Sequence, residues 1–317
     1  MGKQTTAGIH HITAIVGNPQ ENVDFYAGIL GLRLVKKTVN FDDPGTYHLY
    51  FGNKGGHPGT IMTFFPWPEA YPGQIGTGQV GVTTFVVPEN ALDFWEKRLS
   101  AFHIAVKREQ RFGEDYLQFT DPHGLLLEIV ARKEGPESQW EFNGIRKQEA
   151  IKGFGGAILY SAAPQQTADL LERVMGLEKV GEEGDYVRFR ATGDLGNVID
   201  IKLTDIPQGQ MGVGTVHHIA WRAKDFEEHQ EWQKHVAKHG FSPTKIVDRQ
   251  YFNAIYFRET GGLLFEIATD PPGFDRDEPA DIMGAQLMLP EWLEPKRGII
   301  EDLLMPIAVR EVKEEQA

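Results

Sequence analysis

The feature that most constrains this chain is that it repeats itself. The stretch from Arg111 to Glu128, RFGEDYLQFTDPHGLLLE, aligns without a gap on the stretch from Arg249 to Glu266, RQYFNAIYFRETGGLLFE. Each ends in an apolar run, a turn glycine (Gly124, Gly262), a second apolar run and a Glu followed by Ile, the pattern of two strands joined by a turn. Upstream of each lie an apolar strand opening (Val80 to Val87; Val216 to Trp221) and a helical stretch (Leu92 to Phe102; Phe226 to His239). The other two quarters also match. His11 to Val16 is followed by Pro19 and FYAGILGL, and Ala157 to Tyr160 by Pro164 and LLERVMGL, with Gly31 and Gly176 as helix stops. The chain is therefore four units beginning near residues 8, 79, 153 and 214, each reading strand, helix, three strands.

One such unit exposes an apolar sheet face that it cannot cover alone, and two units paired edge to edge curl into a cup with helices outside. The expected fold class is α+β: four βαβββ modules forming two cupped mixed sheets. Residues 1–133 hold the N-terminal pair of modules (8–70 and 79–132), and 134–150 form a polar linker. Residues 151–270 hold the C-terminal pair (151–206 and 214–270), and 271–317 form a tail, helical near Arg297 to Leu304, that packs on the body. With 41% hydrophobic residues the chain builds a real core.

Composition excludes several classes. The absence of cysteine removes disulfide scaffolds, iron–sulfur clusters, thiolate zinc sites and cysteine nucleophiles, and fits a reducing cytoplasm. A formal charge of −13 with no basic face argues against nucleic-acid partners. Neither a signal core nor a membrane-length apolar run is present. The expected setting is cytoplasmic, with homo-oligomerisation left open.

Chemistry is found by comparing equivalent places. At the strand-opening position the four units carry His11, Gly81, Gly156 and His218, so units one and four share the tripeptide His-His-Ile. At the end of the last strand they carry Thr63 or Phe64, Glu128, Asp200 and Glu266. If units one and four face each other, one cup, the active one, gathers His11, His218 and Glu266 and leaves the fourth place without a ligand. Two imidazoles and one carboxylate with open positions suit a reactive non-haem Fe(II). Pairing one with two and three with four would divide these ligands; the shared tripeptide favours one with four. Glu128 and Asp200 occupy the same repeat positions without a histidine, so both stay outside the metal set.

The repeats, the GIHHIT opening, FYAGILGL and the HHIA and LLFEIA segments resemble the vicinal oxygen chelate (glyoxalase/bleomycin-resistance/dioxygenase) superfamily. More closely, the chain is similar to its ring-cleaving dioxygenases that open hydroquinones. That resemblance implies Fe(2+) on His11, His218 and Glu266 and extradiol-type cleavage, with O2 and a small hydroquinone-type (or catechol-type) aromatic as partners. It also implies that Tyr256 helps to bind or deprotonate the ring, and that Arg249 neutralises developing negative charge. A half-buried strand tyrosine and a structural ion pair are the competing readings, the latter because Arg111 matches Arg249 in a unit without histidine. His10 and His217 come out beside the ligands, His217 with a catalytic role and His10 against substrate, although strand alternation alone turns both to the opposite face.

Thr13 shares a face with His11 and is a candidate to hydrogen-bond a substrate oxygen, against its plain value as a strand former. The remaining histidines, on helical polar faces or in loops, read as solvated. The aromatic loop Phe64 to Gly73 either lines the pocket mouth or packs between cups. A hydroquinone carries its oxygens across the ring, so only one reaches a metal and the remote hydroxyl needs its own partner. Two rivals remain: a glyoxalase-type isomerase or thiol transferase in the same cup, which commonly uses a second carboxylate ligand that Thr63 or Phe64 does not supply, and a metal-free aromatic-binding protein.

Overall fold

The computed structural model of the protein describes residues 4–314; the first three residues of the first module's lead-in and the last three of the tail lie outside the described residues. Module one runs β1 (Ile9–Val16), α1 (Pro19–Val23), β2 (Arg33–Asn40), β3 (Asp43–Gly52) and β4 (Ile61–Pro66). Asn18 caps α1 by accepting from the Gln20 and Glu21 amides, and Pro19 stands in its first turn. A π-helical stretch, Asp24–Ile29, extends the helix, and the chain leaves through Gly31 at φ +68°, a conformation that a side chain resists. Module two is β5 (Gln79–Val87), α2 (Leu92–Ala101), β6 (Lys107–Arg111), β7 (Glu114–Thr120) and β8 (Leu126–Ala131). Module three is β9 (Gly153–Tyr160), α3 (Pro164–Asp169), β10 (Glu178–Glu183), β11 (Tyr186–Arg190) and β12 (Val198–Lys202). Module four is β13 (Thr215–Ala223), α4 (Phe226–Lys238), β14 (Val247–Asp248), β15 (Phe252–Arg258) and β16 (Leu264–Pro272).

Among the described residues these strands make two curled eight-stranded mixed sheets, ordered β14-β15-β16-β13-β1-β4-β3-β2 and β10-β11-β12-β9-β5-β8-β7-β6. The outer modules, one and four, therefore share one cup, and the inner modules share the other. Antiparallel seams β1–β13 and β5–β9 join them. Beyond β16 the chain lies against β2: the Lys36 ammonium, fully buried, donates to Asp277 at 2.7 Å and Glu278 at 2.9 Å, and the Met288 amide donates to the Lys37 carbonyl.

Each seam carries two bulges. In β1–β13, Ile9 faces Trp221 and His11 faces Ala220, so His10 is the extra residue; Thr13 faces His218 and Ala14 faces Val216, so His217 is the extra residue on the other strand. In β5–β9 the extra residues are Gly81 and Gly155. The parallel partners fix the remaining places, pairing Thr13 with Thr63, Ala220 with Glu266, Thr84 with Glu128 and Ile158 with Asp200. The register corrects the sequence alignment in one place and settles it in another. Gly81 matches His10, and Val82 matches His11, because the bulge shifts the count by one. Thr63, rather than Phe64, holds the place of the carboxylate.

The inner cup is sealed by charge. Arg111 donates from Nε to Asp200 at 2.9 Å and from Nη2 to Glu128 at 2.8 Å, while Arg188 donates to both Asp200 oxygens at 2.8 and 2.9 Å. Two guanidinium groups thus stand where a cation would go, and only about 10 Å³ stays open. Arg111 is a structural ion pair, bridging Glu128 and Asp200. Removing one member of a buried ion network leaves charge uncompensated, typically at about 3–5 kcal/mol. Arg111→Met is expected to lose stability on that scale in denaturant unfolding without altering cation binding in the outer cup.

Candidate metal centre

The seam at β1–β13 brings the two His-His-Ile segments together across the outer cup. His11 Nε2 lies 3.2 Å from His218 Nε2, and Glu266 Oε2 lies 3.4 Å from the first and 2.9 Å from the second. All three residues are buried, and among the described residues they form the cluster able to hold a metal ion. Donor atoms so spaced suit a single shared cation, since metal bonds to nitrogen and oxygen run about 2.0–2.2 Å. Both Glu266 oxygens are sequestered and accept no hydrogen bond from the described residues. An ionised carboxylate left that way is costly unless a cation compensates it, so the residues fit a metal. Burial alone would raise the Glu266 carboxyl, yet the His11 and His218 imidazoles beside it hold it well below its ordinary value. Burial likewise pushes His218 down, against the pull of Glu266.

The bulges explain the neighbours. An extra residue breaks strand alternation and re-aims its side chain, so His10 and His217 do not point away as alternation requires. His10 Nδ1 lies 2.9 Å from His11 Nδ1, and His217 Nδ1 lies 2.8 Å from His218 Nδ1. His10 Nε2 faces the Thr269 carbonyl at 3.1 Å, which fixes the proton there and leaves Nδ1 as acceptor. His11 then donates from Nδ1, and its Nε2 lone pair is free to face Glu266 and His218. The second imidazole thus sets the tautomer of the first.

A cavity of about 290 Å³ opens on the cluster. Its wall includes His11, His218, Glu266, His217, Arg249 and Tyr256, with an apolar side of Phe41, Phe65, Trp67, Phe252 and Leu264. Tyr256 stands directly across β15–β16 from Glu266, and Arg249 Nε donates to its hydroxyl at 3.1 Å while Nη1 reaches Asp42 at 3.0 Å. Burial, then the Glu266 charge, push the Tyr256 phenol well above its ordinary value. Burial and the adjacent His218 bring His217 down to about 3. Both are neutral near pH 7.

Two of the sequence candidates fall outside this wall. His10 lines a different cavity behind His11, and Thr13, fully buried, hydrogen-bonds Thr63 at 2.9 Å. Conversely, His48 and Tyr50 on β3 line the cavity, although the sequence places His48 among the solvated histidines. A signal for them exists: His48 and Tyr50 are two apart on one strand, and Tyr50 faces Thr63 as Tyr256 faces Glu266. A longer turn between β3 and β4 than between β15 and β16 hides the equivalence. His229 also departs from expectation, being fully buried where α4 lies on β16 and facing the Ile267 carbonyl at 2.8 Å. Phe65 and Trp67 bring the aromatic loop into the cavity wall.

One superfamily matches the chain across all four modules. The chain belongs to the Glyoxalase/Bleomycin resistance protein/Dioxygenase superfamily, matching it over residues 8–129 and 154–267. It is 64% identical over 307 residues to MhqO of Bacillus subtilis (strain 168), provisionally named a ring-cleaving dioxygenase, covering 97% of this chain and 98% of the relative. It is 32% identical over 309 residues to the chlorohydroquinone/hydroquinone 1,2-dioxygenase of Sphingobium indicum, covering 94% of each chain. A Bacillus subtilis crystal structure described as that of a dioxygenase, 64% identical, superposes with a TM-score of 0.97 over 98% of this chain and all of the other. Maize glyoxalase I, 13% identical, shares the fold at a TM-score of 0.61 over 83% of this chain and 92% of its own. No helix among the described residues is long and apolar enough to cross a membrane.

Because His218 and Glu266 both sit below their ordinary values, neither carries a proton for a cation to displace near pH 7. Calorimetry of divalent cation binding in buffers of differing ionisation enthalpy is expected to detect at most one proton released per ion. Release of two or more would contradict this protonation state.

Proposed function

We propose that the protein is an Fe(II)-dependent, extradiol-type ring-cleaving dioxygenase that opens hydroquinone-type aromatics with O2. The observation that carries this reading is the convergence of His11, His218 and Glu266 with Thr63 in the fourth place, so that the protein supplies three ligands and leaves the rest of the coordination sphere to other molecules. The names of the relatives, aligned end to end with this chain, support the same chemistry.

Fe(II) held by these three residues supplies the redox chemistry that couples an electron-rich ring to O2. The chain's own residues do the rest. The cavity, at the small end of ligand pockets, suits one substituted ring packed against Phe41, Phe65 and Phe252. These aromatics and Trp67 would also exclude water from the cluster. Arg249 places fixed positive charge beside the Tyr256 hydroxyl, so a phenolic oxygen turned toward the cluster would meet a cation and a neutral hydrogen-bond donor. His218, with Nε2 turned to the cluster, donates from Nδ1 to His217, whose own proton then sits on Nε2 in the cavity wall. His10 acts from behind by fixing the tautomer of His11, and Thr13 acts through Thr63.

A glyoxalase-type isomerase is disfavoured by the hydroxyl of Thr63 where a second carboxylate ligand would stand. A metal-free binder is disfavoured by the fully buried Glu266 carboxylate, whose oxygens accept no hydrogen bond from the described residues.

The test is anaerobic reconstitution with Fe(II) followed by oxygen-electrode assays across substituted hydroquinones and catechols. Uptake of one O2 per ring opened is expected, and no uptake with any of them overturns the assignment. His11→Ala, His218→Ala and Glu266→Ala are each expected to lower bound iron at least tenfold with circular dichroism unchanged, while Glu128→Gln retains it.

A further inference from the structure

Ring opening as proposed above leaves one substrate atom without a partner, the hydroxyl across the ring from the metal, and the assignment of its partner rests on that reading. The outer cup is built from two related modules, and each presents a tyrosine at the same register position: Tyr256 opposite Glu266 and Tyr50 opposite Thr63. Each tyrosine has one basic companion in the cavity wall. Tyr256 is held by the Arg249 guanidinium at 3.1 Å, and Tyr50 by His48 Nδ1 at 2.8 Å. His48 is anchored in turn by Nε2 to Thr63 at 2.7 Å, and Thr63 to Thr13 at 2.9 Å.

The two pairs differ in charge. Arg249 is a permanent cation, whereas burial and then the nearby His11 and His218 hold His48 far below the ordinary imidazole value, so it is neutral. Burial also keeps the Tyr50 phenol protonated. A ring bound as a monoanion has one charged oxygen and one neutral hydroxyl, and the cavity has one charged pair and one neutral pair. The chain Tyr50, His48, Thr63, Thr13 consists of groups that both donate and accept, so it can run in either direction. Tyr50 therefore offers either a lone pair to a hydroxyl or a proton to a carbonyl oxygen.

We propose that Tyr50, oriented by His48, is the specificity-determining partner of the substrate hydroxyl remote from the metal. Tyr50 is then the residue that makes the pocket one for hydroquinones, since a catechol carries both oxygens on one side of the ring and leaves this place unused. His48 is a positioning residue that acts through Tyr50.

The experiment compares wild type with Tyr50→Phe and His48→Gln, both as iron-loaded full chains, on methylhydroquinone and on catechol. The expected result is a fall of tenfold or more in the ratio of kcat/KM for methylhydroquinone over catechol in each variant. An unchanged ratio overturns the proposal, whether both activities persist or both fall together. A second measurement needs no turnover: anaerobic binding of hydroquinone and of phenol, which lacks the remote hydroxyl. Wild type is expected to favour hydroquinone and Tyr50→Phe to lose that preference; a preference retained in Tyr50→Phe sinks the subsite. Should wild type consume no O2 with either ring, the dioxygenase reading fails while the binding comparison still decides the subsite.

Discussion

The antiparallel pairing of β1 with β13 is the constraint on which the rest depends. It joins the first module to the last, aligns two copies of His-His-Ile across a two-fold-like seam, and places one bulge on each strand. Without the bulges, alternation would send one histidine of each pair to the opposite face. With them, four imidazoles lie in two contacting pairs, one member of each turned to Glu266. The convergence of these side chains is thus a property of backbone register before it is a property of the side chains themselves.

The same register runs through the inner cup, where it serves another end. Glycines replace the bulged histidines, and Val82 and Gly156 replace His11 and His218, so Glu128 and Asp200 stand without imidazoles. Arginines from β6 and β11 fill the space and satisfy them. One scaffold therefore holds buried carboxylates in two ways: by fixed guanidinium groups that close the cup, or in a cluster that stays open and could hold a cation. The difference lies in a few side chains at matched positions.

Much of this is legible in the sequence because repetition is an alignment of the chain against itself. The module count, the outer pairing and the convergence of His11, His218 and Glu266 all come from comparing quarters. What escapes is whatever one-residue accounting decides. Bulges are invisible to a period-two reading, which sets Gly81 one place off and turns His10 and His217 the wrong way. His48 and Tyr50 escape because module one has a longer turn before its last strand, which breaks the numerical match with Tyr256. His229 escapes because a polar residue on an amphipathic helix reads as solvated until the carbonyl it meets is known.

The strand order has a consequence for how the molecule is made. Residues of the inner cup are neighbours in the chain, with β5 and β9 separated by one module, so that sheet can close while synthesis continues. β1 must wait for β13, which leaves the ribosome some two hundred residues later, and until then its apolar edge has no partner. The half destined for chemistry is the last to assemble, and nascent chains interrupted before the fourth module carry an open, aggregation-prone sheet rather than a partial enzyme.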